Sequence, residues 1–121
     1  MIDPEFSVDP FLSRVHRGDE YNCLHFARDV WLALTGEDFG ERMQALHAKA
    51  SDRRVLASDL RGFERLAAPV SPCIALMRRP RTEPHMGIFL RRRILHLNEK
   101  GAFFQPPHVA TQIFKTVSYY R

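Results

Sequence analysis

Residues suited to nucleophilic chemistry are few in this sequence, which contains two cysteines and six histidines. Cys23 lies at the start of a predicted helix, where unpaired backbone N–H groups and the helix dipole favour a thiolate. The same N–H groups are suited to hold a developing oxyanion. A small buried core residue is an equal alternative for Cys23, because free cysteine is often buried. Cys73 lies inside an apolar strand where nothing nearby would ionise it, and is predicted to be a core residue.

A cysteine nucleophile needs a base to accept its proton. His85 and His96 fall in a predicted β-hairpin with a two-residue turn. If Leu90 pairs with Arg93, the two histidines become diagonal neighbours on one face, whereas an odd shift would send His96 to the other face. Gly87 is expected to leave open space between the two rings.

The elements that must position these residues begin with a helix at the candidate nucleophile. Asp19 and Asn22 are candidate N-caps, Gly36 is a stop signal, and apolar residues recur between them at helical spacing. Two further helices are predicted, one from about Phe39 to Ala50 and one after Ser58. Their buried faces are predicted to be Phe39, Met43 and Leu46 for the second helix, and Leu60, Phe63 and Leu66 for the third.

The second half of the sequence predicts strands, because prolines interrupt it too often for long helices. Helices followed by an antiparallel sheet form an α+β arrangement. The length of 121 residues predicts a single domain over residues 1–121, with residues 1–10 either disordered or foreign to the natural protein. The predicted strands are Cys73–Met77, Met86–Leu90, Ile94–Leu97, Ala102–Gln105 and Ile113–Tyr120.

The net charge of +4 and the arginine clusters at 78–81 and 91–93 raise the possibility of nucleic-acid binding. The clusters flank short strands, where solvated turns are commoner, and no row of stacking aromatics lies beside them, so no nucleic-acid partner is predicted. No apolar run is long enough to cross a membrane, and the acidic N-terminus lacks the features of a signal peptide. No membrane partner is predicted, and synthesis in the cytoplasm is expected.

The remaining histidines do not indicate a metal site. His16, His47 and His108 have no partners at metal-ligand spacing, and the sequence has no glycine-rich phosphate loop. His25 lies two positions after Cys23, so it projects from a different side of the helix, and a surface or packing role is predicted. No metal and no cofactor are predicted.

Two segments carry a resemblance to a known family. Tyr21-Asn22-Cys23-Leu24-His25-Phe26-Ala27, followed by His85-Met86-Gly87-Ile88-Phe89-Leu90 and Ile94-Leu95-His96-Leu97, resembles the NlpC/P60 branch of papain-like peptidases, most of all its short phage and prophage tail members. The order and spacing agree from about Tyr21 to Val109. The resemblance implies a papain-like fold with N-terminal helices packed on a small antiparallel sheet.

The same resemblance implies Cys23 as nucleophile, His85 as base and His96 as the residue that orients the base. It also implies hydrolysis of amide bonds in the stem peptides of bacterial peptidoglycan, with phage tail proteins as further partners. The protein would then act at the cell wall or in the periplasm after delivery by a tail or secretion machine.

Other assignments stay open. The Asn22-Cys23-Leu24-His25-Phe26 run also resembles the lecithin:retinol acyltransferase group and some CHAP amidases. The acyltransferase histidine precedes the cysteine, which disfavours that group, while CHAP amidases keep the order found here. A tail-assembly protein with the fold and little or no activity is the alternative from another class, because Phe11 lies where the family carries a tyrosine. An amidase effector toxin is a further alternative.

The arginines suggest how an acidic substrate would be held. Arg78, Arg79 and Arg81 precede His85 in the chain and lie at its end of the hairpin, whereas Arg91, Arg92 and Arg93 lie at the far turn. Stem peptides carry free carboxylates, which arginine binds through paired hydrogen bonds. One or more of the first three is predicted to bind substrate, against the alternative of a solvated basic loop.

Overall fold

The structure, a computed structural model, describes residues 5–39, 63–82 and 84–121 of the chain. Among these residues, a short 3-10 helix, Asp9–Phe11, precedes the first α-helix, and a further α-helix lies between the last two strands. These described residues form an antiparallel sheet of six strands, so the α+β prediction is confirmed. The elements are α1 (Cys23–Thr35), β1 (Arg65–Leu66), β2 (Cys73–Arg78), β3 (His85–Leu90), β4 (Arg93–Asn98), β5 (Gly101–Gln105), α2 (Pro107–Ile113) and β6 (Thr116–Tyr120).

The sheet order is β1-β6-β2-β3-β4-β5, so β2 to β5 follow each other as hairpins and β6 returns to the far side of β2. The predicted register of the β3–β4 hairpin is confirmed, because Leu90 pairs with Arg93 and Phe89 pairs with Ile94. Arg91 and Arg92 form the turn with φ of 48° and 66°. Two successive positive φ values are typical of the turn that matches the twist of a tight hairpin.

Helix α1 begins and ends where local signals predict. Asn22 is the N-cap, and its side chain accepts a hydrogen bond from the Leu24 amide. Gly36 ends the helix with a φ of 79°, a left-handed conformation that glycine adopts without steric cost. The apolar stripe packs on β3 and β4, which places the N-terminus of the helix beside the sheet. The buried residues of α1 are Leu24, Phe26, Ala27, Val30, Trp31 and Leu34.

The hydrophobic core covers both faces of the sheet. Side chains alternate along each strand, so neighbouring residues contribute to different faces. The α1 face receives Ile74, Leu76, Met86, Ile88, Leu90, Leu95 and Leu97. The α2 face receives Cys73, Ala75, Met77, Phe89 and Ile94, which pack with Ala110 of α2.

Two predictions of secondary structure differ from the structure. Leu66 was predicted to be helical but lies in β1, because its backbone pairs with Tyr119 of β6, a contact between distant parts of the chain. Ile113 was predicted to begin a strand but ends α2, which starts with Pro107 at a position where its missing N–H costs nothing. Phe6, which belongs to the segment predicted to be either disordered or foreign to the natural protein, is buried against Phe11 in the core.

Two predicted helices fall largely outside the described residues. Phe39 and Phe63 are described and buried in the core, where their rings meet edge to face. The rest of the second helix, and Leu60 of the third, lie outside the described residues. Within the ranges that the structure covers, no helix has the length and apolar character needed to cross a bilayer.

Candidate active site

A cavity of about 700 Å³ lies at the end of the sheet where β3 begins and β4 ends. Cys23, His85 and His96 all line it, so the structure brings the three predicted catalytic residues to one cavity. They approach it from different sides. Cys23 packs against the core of the α1 face, whereas the alternation of the strands places both histidines on the α2 face. The cavity therefore joins the two faces around the end of the sheet.

Cys23 is the first residue of α1 and is half-buried. The amides that follow it have partners, because the side chain of Asn22 accepts hydrogen bonds from the backbone of Leu24 and of His25. An N-cap of this kind stabilises a helix by about 1 kcal/mol. The prediction that several first-turn amides hold an oxyanion is therefore too broad, since two of them are already bound to Asn22.

His25 has a structural role in the cap. Its Nδ1 lies 3.1 Å from the backbone nitrogen of Asn22 and accepts that N–H, while its ring stacks on Tyr21. A reciprocal pair of cap hydrogen bonds satisfies donors on both sides of the helix start. The predicted packing role of His25 is therefore helix capping, and His25 fixes the backbone at the start of α1, where Cys23 lies.

The pair of strand histidines is in direct contact. Nε2 of His85 lies 2.9 Å from Nδ1 of His96, and the two rings meet nearly edge to face. Phe114 stacks on the His85 ring at 5.4 Å between centroids with an interplanar angle of 4°, and Phe103 contacts the ring of His96. Within the described part of the chain, Nδ1 of His85 makes no hydrogen bond, so it is the ring nitrogen left for proton transfer.

Gly87 is closely packed against β4, whereas the sequence predicts open space at this position. A Cβ atom at this position would lie 2.8 Å from Cγ2 of Ile94 and 3.0 Å from both the Leu95 carbonyl oxygen and the Cβ of His96. The space is thus filled by β4 rather than open. Glycine in a strand permits this close approach of a neighbouring backbone, and the approach lets the His85 and His96 rings touch.

Gln105 extends the chain of polar contacts and was missed by the sequence prediction. Its Oε1 lies 3.1 Å from Nε2 of His96, and the residue lines the same cavity. The contact depends on β5, in which Gln105 pairs with Ile94, two residues from His96 on the same face. Three side chains in a row, His85, His96 and Gln105, therefore share two hydrogen bonds.

Burial keeps both rings neutral at physiological pH. It lowers the pKa of His85 to about 3, and the nearby rings of His96 and His16 act in the same direction. Burial also lowers the pKa of His96, which is opposed by its hydrogen bond to Gln105. A charged imidazolium loses hydration in such a site, which is the physical origin of both shifts.

His16 is a further cavity residue that sequence spacing did not reveal. Its Nδ1 accepts a hydrogen bond from the Gly18 amide at 3.3 Å. The loop that carries it is held in place because Arg14 and Tyr21 both bond to Asp29 of α1. Burial, together with the Asp29 contact, raises the pKa of Tyr21 to about 12, so the hydroxyl stays protonated as a donor. Loop closure of this kind leaves no periodic signal in a sequence.

The three candidate substrate-binding arginines lie in different environments. Arg79 lines the cavity, as do Lys100 and Glu99 from the β4–β5 turn. Arg78 ends β2, is half-buried, and its Nε has no hydrogen-bond partner among the described residues. Arg81 is exposed in the β2–β3 loop with a φ of 66°. Of the three, Arg79 is the one at the cavity.

Both cysteines are thiols rather than disulfide partners, and they differ in accessibility. Cys73 is completely buried, and burial raises its pKa. We expect iodoacetamide at neutral pH to modify Cys23 at least about tenfold faster than Cys73, because only an accessible thiolate reacts. Mass spectrometry of peptides from partly labelled protein measures the ratio. Labelling in urea, where the two sites should react alike, is the control, and faster modification of Cys73 in the folded protein would contradict the expectation.

Among residues 5–39, 63–82 and 84–121, no group of three histidine, cysteine or acidic side chains is placed to hold a metal ion. No protein-family model, curated protein or solved structure matches the chain.

Proposed function

We propose that the protein is a cysteine hydrolase of the papain-like NlpC/P60 type that cleaves amide bonds in peptidoglycan stem peptides. One observation carries the proposal. A cysteine at a helix N-terminus shares a cavity with a histidine whose Nε2 contacts a second histidine and whose Nδ1 remains for proton transfer. Nucleophile, base and orienting group are the three parts that a covalent hydrolase needs.

In the proposed reaction the thiol of Cys23 gives its proton to Nδ1 of His85 as the sulfur attacks the substrate carbonyl carbon. The C–S bond forms and the carbonyl electrons move to oxygen. Collapse of the tetrahedral intermediate breaks the C–N bond, and His85 returns the proton to the leaving amine. Water then attacks the thioester with His85 as base, which releases the acid and restores the thiol.

The lowered pKa of His85 keeps its imidazole neutral in the resting protein, so the ring is able to accept the proton of Cys23. Charge then develops on the substrate oxygen and needs a donor. His16 is our candidate, because its Nδ1 accepts a hydrogen bond from the Gly18 backbone N–H, which leaves Nε2 as the ring nitrogen that donates. His16 would thus serve where the family uses a tyrosine, since Phe11 is buried in the core.

The cavity suits a peptide that carries carboxylates. Arg79 and Lys100 add positive charge to its lining, with Glu99 as the opposing charge. Carboxylates of a stem peptide would pair with these cations, most strongly with arginine through two parallel hydrogen bonds. Phage tail proteins, as carriers that bring the enzyme to the cell wall, belong to the same proposal.

Arg79→Gln is expected to raise KM for a carboxylate-bearing stem peptide about three- to tenfold and to weaken its salt dependence, with little change in kcat, because a rim charge contributes to binding rather than to chemistry. Arg92→Gln is the matched control, since Arg92 lies at the far turn of the hairpin. Steady-state kinetics at two salt concentrations measure both effects. An equal rise in KM for the two variants would indicate only general charge attraction.

The proposed activity is tested by incubating purified peptidoglycan with the protein and with Cys23→Ala. We expect soluble fragments from the wild type alone, and mass spectrometry of those fragments identifies the bond that is cut. If neither protein releases fragments, the non-catalytic tail protein becomes the better assignment. Cleavage of the amide bond between sugar and peptide would instead favour the amidase effector.

A further inference from the structure

We propose that Gln105 is a positioning residue that fixes the tautomer of His85, acting through His96. The inference rests on the proposed function, because it explains how His85 becomes a base toward Cys23. The feature behind it is the unbroken row of two hydrogen bonds at the cavity, from Gln105 Oε1 to His96 Nε2 and from His96 Nδ1 to His85 Nε2.

A neutral imidazole carries one N–H donor and one acceptor nitrogen, so two linked histidines can share their protons in either of two directions. Nothing within the pair itself selects a direction. Burial disfavours the charged form of both rings, so each ring carries one proton and the direction of the hydrogen bond between them stays undetermined. A third group at the end of the row must decide it.

The carbonyl oxygen of the Gln105 amide is an acceptor only. Facing it, Nε2 of His96 must carry the proton, which leaves Nδ1 of His96 as an acceptor. Nε2 of His85 must then donate to that Nδ1, and Nδ1 of His85 is left with its lone pair. This is the nitrogen that the reaction needs unprotonated, because it receives the proton of the Cys23 thiol.

The position of Gln105 suits this task. Gln105 is the last residue of β5 and pairs with Ile94. The antiparallel register makes it a diagonal neighbour of His96 on the α2 face. Its backbone is held by the sheet, and its side chain is half-buried at the cavity. An orienting group held on a strand is more precise than one on a loop.

The test is the tautomeric state of each histidine, read from nitrogen-15 NMR of the intact protein at neutral pH without substrate. We expect His85 and His96 of the wild type to carry their protons on Nε2. Gln105→Leu removes the acceptor and is expected to give a mixture of tautomers at both rings. Gln105→Glu keeps an acceptor oxygen and is expected to restore the Nε2 forms. His25 is an internal control, because its Nδ1 accepts a hydrogen bond from the backbone N–H of Asn22 and the residue lies outside the row.

Protonation of His85 on Nδ1 in the wild type would overturn the inference, as would unchanged tautomers in Gln105→Leu with an unchanged His25 signal. Activity supplies a second readout, in which Gln105→Leu is expected to lose roughly tenfold in kcat with KM unchanged and Gln105→Glu to recover most of it. The NMR result does not depend on hydrolysis. A protein that cuts no peptidoglycan but shows the expected tautomers would refute the proposed function and leave the role of Gln105 standing.

Discussion

His85→Ala is expected to lower the hydrolysis of stem peptides by at least about 10³-fold, whereas His96→Ala is expected to lose only about 10- to 100-fold. The difference follows from their positions in the row of hydrogen bonds. In the proposed mechanism Nδ1 of His85 moves the proton itself, while His96 contacts only Nε2 of that ring. Removing His96 leaves a base that is less well oriented but present.

His25→Ala is the control variant for this comparison, because His25 contacts the helix start without joining the row. It is expected to lose stability through the cap while keeping most of its kcat. Thermal unfolding of each variant shows which ones remain folded at the assay temperature. Full activity in His85→Ala would show that the site is misassigned. If His25→Ala alone loses activity, the resemblance of Asn22-Cys23-Leu24-His25-Phe26 to the lecithin:retinol acyltransferase group and CHAP amidases would be favoured instead.

The protein is expected to lose stability as the pH falls below about 6.5. His85 has a pKa of about 3 in the folded state and an ordinary value of 6.5 when exposed by unfolding. Between these values the unfolded chain binds a proton that the folded chain does not, so stability falls as pH drops below 6.5. The slope is about 1.4 kcal/mol per pH unit for one such histidine, and the lowered pKa of His96 adds to it.

Urea unfolding at several pH values from 7.5 to about 4.5 measures this slope in a range where most carboxylates remain ionised. His85→Phe is the informative variant, because a phenyl ring keeps the stacking on Phe114 but cannot bind a proton. The pH dependence of its unfolding free energy should be weaker than that of the wild type by about 1.4 kcal/mol per pH unit, which corresponds to one proton. His108→Phe, which alters an exposed histidine outside the row of hydrogen bonds, is the control variant. Equal slopes for the wild type and His85→Phe would show that His85 is charged in the folded protein.

The parts of the site that could be predicted from sequence are those determined by short-range rules. Asn22 and Gly36 cap the two ends of α1, and both caps can be recognised from neighbouring residues without the rest of the fold. The register of the β3–β4 hairpin follows from its two-residue turn, and the register in turn places His85 and His96 on one face. Both inferences use distances of a few residues along the chain.

What was missed depends on pairing between more distant segments or on loops. Gln105 reaches His96 only through the β4–β5 register, and β1 exists only because β6 returns beside it. His16 reaches the cavity through a loop held by Arg14, Tyr21 and Asp29, which has no periodicity to read. The error at Gly87 has a related cause, since a missing side chain looks the same in a sequence whether a void or a neighbouring strand takes its place.

The tight packing at Gly87 has a consequence for how proteins with this site could diverge. A methyl group there would lie 2.8 Å from Cγ2 of Ile94 and 3.0 Å from both the Leu95 carbonyl oxygen and the His96 Cβ, so β4 would have to shift beside His96 and change the spacing of the two rings. A lineage could therefore lose the coupling between His85 and His96 through one small substitution while Cys23 and both histidines persist. When active and inactive proteins with this fold are compared, the residue at position 87 would be as informative as the polar residues around it.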